Sequence, residues 1–190
     1  MEKIELKGGT LLAPVPPVMV TCGDIERSNI ITVAWCGILN TVPPVTYVSI
    51  RPERYSYGII KTCGEFIINL TPAALIKTAD YCGMRTGRKV DKFAECGLTK
   101  EMTGNSRCPA IAESPLNIEC KVREIVPLGS HDMFIADIIS VRAAETLIDE
   151  KGKLRIEKAG LAAYAHGDYY ELGKKIGYFG FSAVKKSKRK

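Results

Sequence analysis

Two strand-forming runs decide the fold class: Val18-Met19-Val20-Thr21-Cys22 and, after a short gap, Asn29-Ile30-Ile31-Thr32-Val33-Ala34-Trp35. Both are rich in β-branched and other large apolar side chains, which favour strands. The first run ends at Gly23-Asp24, a typical turn signal, and the gap is too short for a crossover connection between parallel strands. The sequence therefore predicts an antiparallel hairpin.

The following segments add two strands and one helix. Residues 46–50 are predicted to form a strand that Arg51-Pro52 closes, because proline cannot donate to a continuing strand ladder. Apolar side chains at helical spacing then predict a helix over residues 55–63, with Gly64 as its C-cap. Residues 65–70 are predicted to form a buried strand.

A second helix is predicted over residues 71–83. Thr71 is expected to be its N-cap, and Pro72 would occupy the first helical position, where a missing N–H costs nothing. Residues 84–110 mix glycines with charged side chains and are predicted to be mainly loop.

A long antiparallel hairpin is predicted in the second half of the chain. Residues 118–123 alternate apolar and charged side chains, as in a strand with one wet face, and a turn at 127–129 leads into the apolar run 133–141. Short strands joined by hairpins, with few helices, predict a mainly β fold. The architecture would be a closed or nearly closed antiparallel barrel with helices at its margin.

Length and composition fit one domain over residues 1–184. The chain has 190 residues, of which 46% are hydrophobic and 25% are charged. No run reaches the roughly 20 apolar residues that a bilayer-spanning helix needs, and the N-terminus lacks a signal-peptide pattern. We therefore expect no membrane association and a cytoplasmic location.

The formal net charge of +6 comes mostly from residues 185–190, which hold five of the 27 basic residues. Without them, 22 basic residues face 21 acidic ones. We therefore expect a basic, disordered tail on a nearly neutral domain, and nucleic-acid binding through that tail is the least favoured function.

The seven cysteines are spread evenly and contain no Cys-x-x-Cys pair, so no metal site is expected. In a reducing compartment, isolated cysteines are usually small core residues. We expect that role for all of them except Cys36, which follows the only tryptophan, Trp35.

Sequence signatures of nucleotide-binding loops, zinc hydrolases and serine hydrolases are missing. Functional groups concentrate instead between residues 29 and 56. Ser49, Arg51 and Ser56 flank a predicted strand-to-helix turn, where hydroxyls, a guanidinium and free helix N–H groups suit a phosphate dianion.

The order of these features resembles the flavin reductase-like family, and the ending is similar to that of its flavoredoxin-like branch. The resemblance extends from about Pro14 to Ser182. The segments that carry it are residues 29–37, Pro43-Pro44, 48–56, 66–70, Gly87-Arg88-Lys89-Val90-Asp91-Lys92-Phe93, 129–135 and 167–177.

The resemblance implies an antiparallel FMN-binding split β-barrel with a few flanking helices, usually a homodimer with the flavin near the subunit interface. FMN would be held without a covalent bond. The implied contacts with its isoalloxazine ring, ribityl chain and phosphate are Thr32, Val33, Ala34, Trp35, Cys36, Ser49, Arg51, Ser56, Arg88, Lys92 and His131.

No side chain is expected to act as a catalytic acid or base, because the flavin would carry the chemistry. The resemblance implies an NAD(P)H-dependent flavin or ferric reductase that passes hydride from NADH or NADPH to flavin N5. The alternative is a flavoredoxin-type electron carrier with resident FMN and a redox partner protein.

Overall fold

A computed structural model describes residues 1–183, so the predicted basic tail at 185–190 lies outside the described residues. No helix in this part of the chain is long and apolar enough to cross a membrane. The helices are α1 Tyr55–Cys63, α2 Ile76–Met84 and α3 Lys92–Cys96. The strands are β1 Val18–Gly23, β2 Ser28–Val33, β3 Cys36–Asn40, β4 Val45–Ile50, β5 Glu65–Leu70, β6 Lys100–Glu101, β7 Ala110–Ile111, β8 Leu116–Pro127, β9 Asp132–Ala143, β10 Ala162–Ala165 and β11 Asp168–Glu171.

Seven strands form one antiparallel sheet in the order β2-β1-β5-β8-β9-β4-β3. Its two edge strands, β2 and β3, are consecutive in the chain and are joined only by Ala34 and Trp35. The Ser49 N–H donates to the Trp35 carbonyl at 2.8 Å, which extends the pairing of β4 with β3 to the residue beside β2. The sheet therefore curls until its edges meet at one end, which confirms the predicted split barrel. Trp35 itself lies just beyond β2, not within it.

The central strands are buried on both faces, which explains their uninterrupted apolar sequences. Val18 and Val20 point into the barrel and pack with Phe66 and Phe134. Met19 faces the other way, into a second cluster formed with α2 and α3. Fully burying one such side chain contributes about 1.5–3 kcal/mol, so both faces stabilise the sheet.

The first predicted helix is confirmed as α1. It ends at Gly64, whose φ of 71° is the left-handed C-cap conformation and whose N–H donates to the Ile60 carbonyl at 2.9 Å. Ile60 is fully buried against the barrel core. α1 therefore packs against one end of the sheet.

One prediction for the following segment was wrong, and another was confirmed. Thr71 does not cap α2, because a 3₁₀ turn at Ala73–Leu75 precedes the helix and the buried Thr71 hydroxyl has no partner among the described residues. Residues 84–110 are mainly loop, as predicted, and they contain the short helix α3. The Asp91 side chain caps that helix by accepting from the Phe93 and Ala94 N–H groups.

The long hairpin of β8 and β9 is confirmed, but the predicted wet face of β8 is partly wrong. Glu119 is 1% exposed, because it lies opposite Ile67 of β5 on a face that residues 108–110 help to cover. Its carboxylate accepts from the Ser140 hydroxyl at 2.7 Å. A register shift at Glu119/Cys120 accompanies this burial.

Candidate functional site

A cleft of about 310 Å³ opens where the two edges of the sheet meet. Its walls come from the ends of β2 and β4, from α2 and from the hairpin of β10 and β11. That hairpin is attached through reciprocal backbone hydrogen bonds between Tyr164 and Val15, at 2.8 and 2.9 Å. Seven of the predicted contact residues line this cleft: Thr32, Val33, Ala34, Trp35, Ser49, Arg51 and His131.

The end of β2 gives the cleft backbone groups as well as side chains. β2 pairs with β1 on one side only, so the N–H and C=O groups of its other edge are not used in the sheet. The Thr32 hydroxyl donates to the Ala79 carbonyl of α2 and so holds the strand against the helix. This edge offers donors and acceptors beside the apolar surface of Val33 and Trp35.

A smaller pocket of about 150 Å³ adjoins the cleft, and both are lined by Ile31, Arg54 and Met84. It contains the predicted residues Ser56 and Lys92. We call it the α1 pocket, because it lies at the start of α1, where no side chain caps the helix. Uncapped N–H groups and the helix dipole favour an anion there.

Lys92 is buried at the base of the α1 pocket. Its ammonium donates to the carbonyls of Ile30 at 2.6 Å and of Cys82 at 2.7 Å, which leaves one of its three donors for a ligand. Burial lowers the pKa of Lys92 to about 8. The free chain therefore carries a cation here that an anionic ligand would stabilise.

The Gly87 backbone passes close to the Asn29 and Tyr55 side chains in this pocket. The Asn29 amide donates to the Ser56 hydroxyl at 2.7 Å and lies directly against Gly87. A Cβ at Gly87 would meet Asn29 Oδ1 at 2.0 Å and the Tyr55 ring at 2.8 Å. Only glycine fits here, so the tight approach of these segments shapes the pocket.

Three predicted residues stand apart from the α1 pocket and the centre of the cleft. Arg51 is exposed at the cleft rim and pairs with Glu53 at 2.9 Å. Arg88 lies over the Tyr55 ring, 5.8 Å from its centroid, and lines a different cleft. The Cys36 thiol lies near the Pro16 carbonyl, at 3.7 Å, in a separate depression, and burial raises its pKa to about 12.

His131 lines the cleft from the loop between β8 and β9. Its Nδ1 lies 3.0 Å from the Ser130 hydroxyl. Tyr164 and Tyr169, which come from the β10–β11 hairpin, line the same cleft.

The cleft includes residues that the sequence alone did not reveal. Arg54 lines both the cleft and the α1 pocket, and its guanidinium donates to the Gly83 carbonyl. The Tyr169 hydroxyl donates to Asp80 at 3.1 Å, and burial, with that hydrogen bond, raises the pKa of Tyr169 to about 12. Tyr169 lies in the segment 167–177 that carries part of the family resemblance, but nothing in the sequence places it beside residues 32–35.

The arrangement suits a flat, partly apolar group attached to a phosphate. The cleft offers backbone donors beside apolar side chains, and the α1 pocket offers a buried ammonium, a hydroxyl and a helix start. FMN has these parts, so the residues present fit it.

Comparisons with known proteins agree with this fold. Solved structures of flavoredoxins are similar over almost the whole chain. The one from Desulfovibrio vulgaris (Miyazaki F) is 31% identical, with a TM-score of 0.89 over 96% of this chain and 100% of its own. The one from Methanosarcina acetivorans is 25% identical, with a TM-score of 0.86 over 97% and 100%.

A Streptomyces viridifaciens NADPH-flavin oxidoreductase is 25% identical over 79% of this chain and 78% of its own length. The model of the flavin reductase like domain matches residues 11–173, which is most of the chain. The chain therefore belongs to the flavin reductase-like family.

Proposed function

We propose that this protein is an oxidoreductase that binds FMN without a covalent bond. The isoalloxazine ring would lie along residues 32–35, and the phosphate would enter the α1 pocket between Ser56 and Lys92. The observation that carries this proposal is that the cleft and the α1 pocket share Arg54 and Met84, so one elongated ligand can occupy both.

The protein would bind and orient, while the flavin, when bound, supplies hydride and electron transfer. The free edge of β2 would hold the pyrimidine end of the ring with backbone groups. Lys92 and the start of α1 would hold the phosphate and thereby fix the position of the ring in the cleft. His131, Tyr164 and Tyr169, which also line the cleft, would limit access to the ring.

We propose NADH or NADPH as the electron donor, which would make the protein a flavin or ferric reductase. The similarity to the Streptomyces NADPH-flavin oxidoreductase supports this reading. None of the residues that line the cleft needs to act as an acid or base in this scheme.

The second candidate is a flavoredoxin-type electron carrier with resident FMN and a redox partner protein. It is favoured by the similarity to the Desulfovibrio flavoredoxin, which extends over the full length of that chain. The two candidates share the same flavin site and differ in what reduces it.

Anaerobic mixing of the FMN-loaded protein with NADH and, separately, with NADPH distinguishes them. If either nucleotide bleaches the flavin absorbance within the first seconds after mixing, the result supports the reductase. Bleaching by dithionite but by neither nucleotide supports the carrier. Failure of the purified protein to bind FMN in calorimetry would contradict both.

We also propose that the protein is a homodimer. The edge strand β3 and the turn after it expose large apolar side chains, with Ile38 at 66% and Val42 at 86% exposure. An unpaired, apolar edge is a surface that soluble proteins usually cover.

A further inference from the structure

A second cleft, of about 520 Å³, lies along the outer side of α1. We call it the arginine cleft, because Arg27, Arg54, Arg88 and Arg107 line it. Asp24 is the only acidic residue among the described residues that line it. None of these arginines takes part in the ion pairs found within residues 1–183. The cleft is therefore strongly positive and suits an anionic molecule.

Cys63, the last residue of α1, also lines the arginine cleft and is partly exposed to it. Cys108 is fully buried directly behind it. Their two sulfurs lie 3.1 Å and 3.5 Å from the same acceptor, the Glu65 carbonyl oxygen. The two thiols are thus neighbours although they are 45 positions apart in the chain.

The Glu65 carboxylate holds this arrangement in place. It accepts from the Ser106 hydroxyl at 2.9 Å and from the Arg107 N–H at 3.1 Å. The Ser106 hydroxyl in turn accepts from the Cys108 N–H at 3.0 Å. The segment 106–108 is therefore fastened to the start of β5, which sets Cys108 against Cys63.

The electrostatics favour a thiolate at Cys63. A hydrogen bond from the Cys108 thiol, together with backbone groups of Glu65 and Gly23, lowers the pKa of Cys63 to about 6. The pKa of Cys108 is raised by the same interaction and by burial. Cys63 is thus an accessible nucleophile, and the neighbouring Cys108 is a protonated thiol that can react in a second step.

We propose that Cys63 and Cys108 form a redox-active dithiol that exchanges with an anionic, low-molecular-weight disulfide bound in the arginine cleft. The Cys63 thiolate attacks one sulfur of the external disulfide, whose S–S bond breaks and releases one thiolate. Cys108 then gives its proton to that thiolate and attacks the Cys63 sulfur. The Cys63–Cys108 bond forms, and the second thiolate leaves. The protein loses two electrons, and the external disulfide gains them.

A second pair provides an internal comparison. Cys82 and Cys96 also interact, but burial raises the pKa of both thiols. Neither of them lines the arginine cleft. Proximity alone would make both pairs equivalent, whereas the proposal requires that only Cys63 and Cys108 react.

The test treats the full-length, FMN-loaded chain with glutathione disulfide and maps the modified peptides by mass spectrometry. We expect a Cys63–Cys108 linkage in the wild-type chain and glutathione trapped on Cys63 in Cys108→Ala. The control variant Cys96→Ser should react like the wild type. Arg107→Ala should slow the reaction with glutathione disulfide by about tenfold without slowing that with the dication cystamine.

The pH profile gives an independent readout. Because the pKa of Cys63 is about 6, the rate of the first step should be flat between about pH 7 and 9. In Cys108→Ala, the midpoint of the rate-against-pH profile should move toward the ordinary thiol pKa of about 8.5. Glutathione that stays on wild-type Cys63, or that reacts first at Cys36 or Cys96, would overturn the proposal. The peptide map of the wild-type chain tests the proposal even if Cys108→Ala does not fold. The map reports which cysteines are linked, so it does not depend on flavin binding.

Discussion

Arg54 shows how one side chain can connect sites that look separate in the sequence. Its guanidinium donates to the Gly83 carbonyl and lines the cleft at the sheet edges, the α1 pocket and the arginine cleft. The neighbouring Arg51 was one of the residues expected to hold the phosphate, but it is more exposed than Arg54 and already pairs with Glu53. The two arginines therefore differ in how firmly they are placed.

Arg51→Ala should weaken FMN binding without unfolding the protein. A charge-assisted contact to the ligand is worth about 1.5–3 kcal/mol, so we expect the Kd to rise at least about tenfold. The exposed pair with Glu53 contributes little to stability. Calorimetry measures the Kd for FMN, and urea denaturation measures the free energy of unfolding. Arg123→Ala, which removes an exposed pair with Asp137, is the control and should change neither. An unchanged Kd for Arg51→Ala would refute its contact with FMN.

Lys92 should make FMN binding depend on pH. In the free chain the pKa of Lys92 is about 8, because burial disfavours its charged form. A bound phosphate favours that form, so binding takes up a proton above this pH. We expect the Kd for FMN to rise as pH increases beyond about 8, by up to tenfold per unit.

Two comparisons isolate this effect in fluorescence titrations. Riboflavin, which has no phosphate, should bind without the rise, and Lys92→Met should bind FMN weakly with a flat profile over the same range. A rise in Kd that persists in Lys92→Met would assign the titration to another group.

The short helix α3 positions Lys92, and its stability depends on Asp91. The Asp91 carboxylate accepts from the N–H groups of Phe93 and Ala94 at 3.0 and 3.2 Å. Asp91→Ala should lower the free energy of unfolding by about 1 kcal/mol and also weaken FMN binding. Asp91→Asn keeps a capping acceptor and should retain most of the stability and most of the affinity for FMN. Equal losses in the two variants in urea denaturation would contradict the capping role.

Long elements were predictable and short ones were not. α1 has a full apolar stripe and a C-cap glycine within its own sequence, so local rules predict the helix and its C-terminal end. α3 has five residues and β3 is largely exposed, so neither carries enough periodic pattern to stand out. The start of α2 was also misjudged, because Pro72 begins a 3₁₀ turn rather than the helix itself.

The exposed edge of β3 leads to a prediction about the whole molecule. If β3 forms the dimer interface, Ile38→Glu combined with Val42→Glu should convert the dimer into a monomer in light scattering. Ile148→Glu, at another exposed apolar position, should leave the dimer intact. A dimer that survives the paired change would place the interface elsewhere.

The cysteines illustrate the limit of reading residues one at a time. Cys22, Cys82, Cys108 and Cys120 are buried, as expected. Cys63 differs, since it borders a positive cleft beside a second thiol. The absence of a Cys-x-x-Cys motif gave no sign of this pair, because β5 and the segment 106–108 bring the two residues together from distant parts of the chain.

The sequence by itself determined the strands β1, β2, β4, β5, β8 and β9, the helix α1, the antiparallel barrel and the family, because side-chain periodicity, turn residues and the order of motifs can be seen in the sequence. Only the tertiary structure decided which polar groups meet. The curl that brings the edge strands β2 and β3 together, the β10–β11 hairpin beside the cleft and the burial of Lys92 all depend on contacts between distant segments. Burial and proximity set the pKa values of Lys92 and Cys63, and neither quantity exists until the chain has folded.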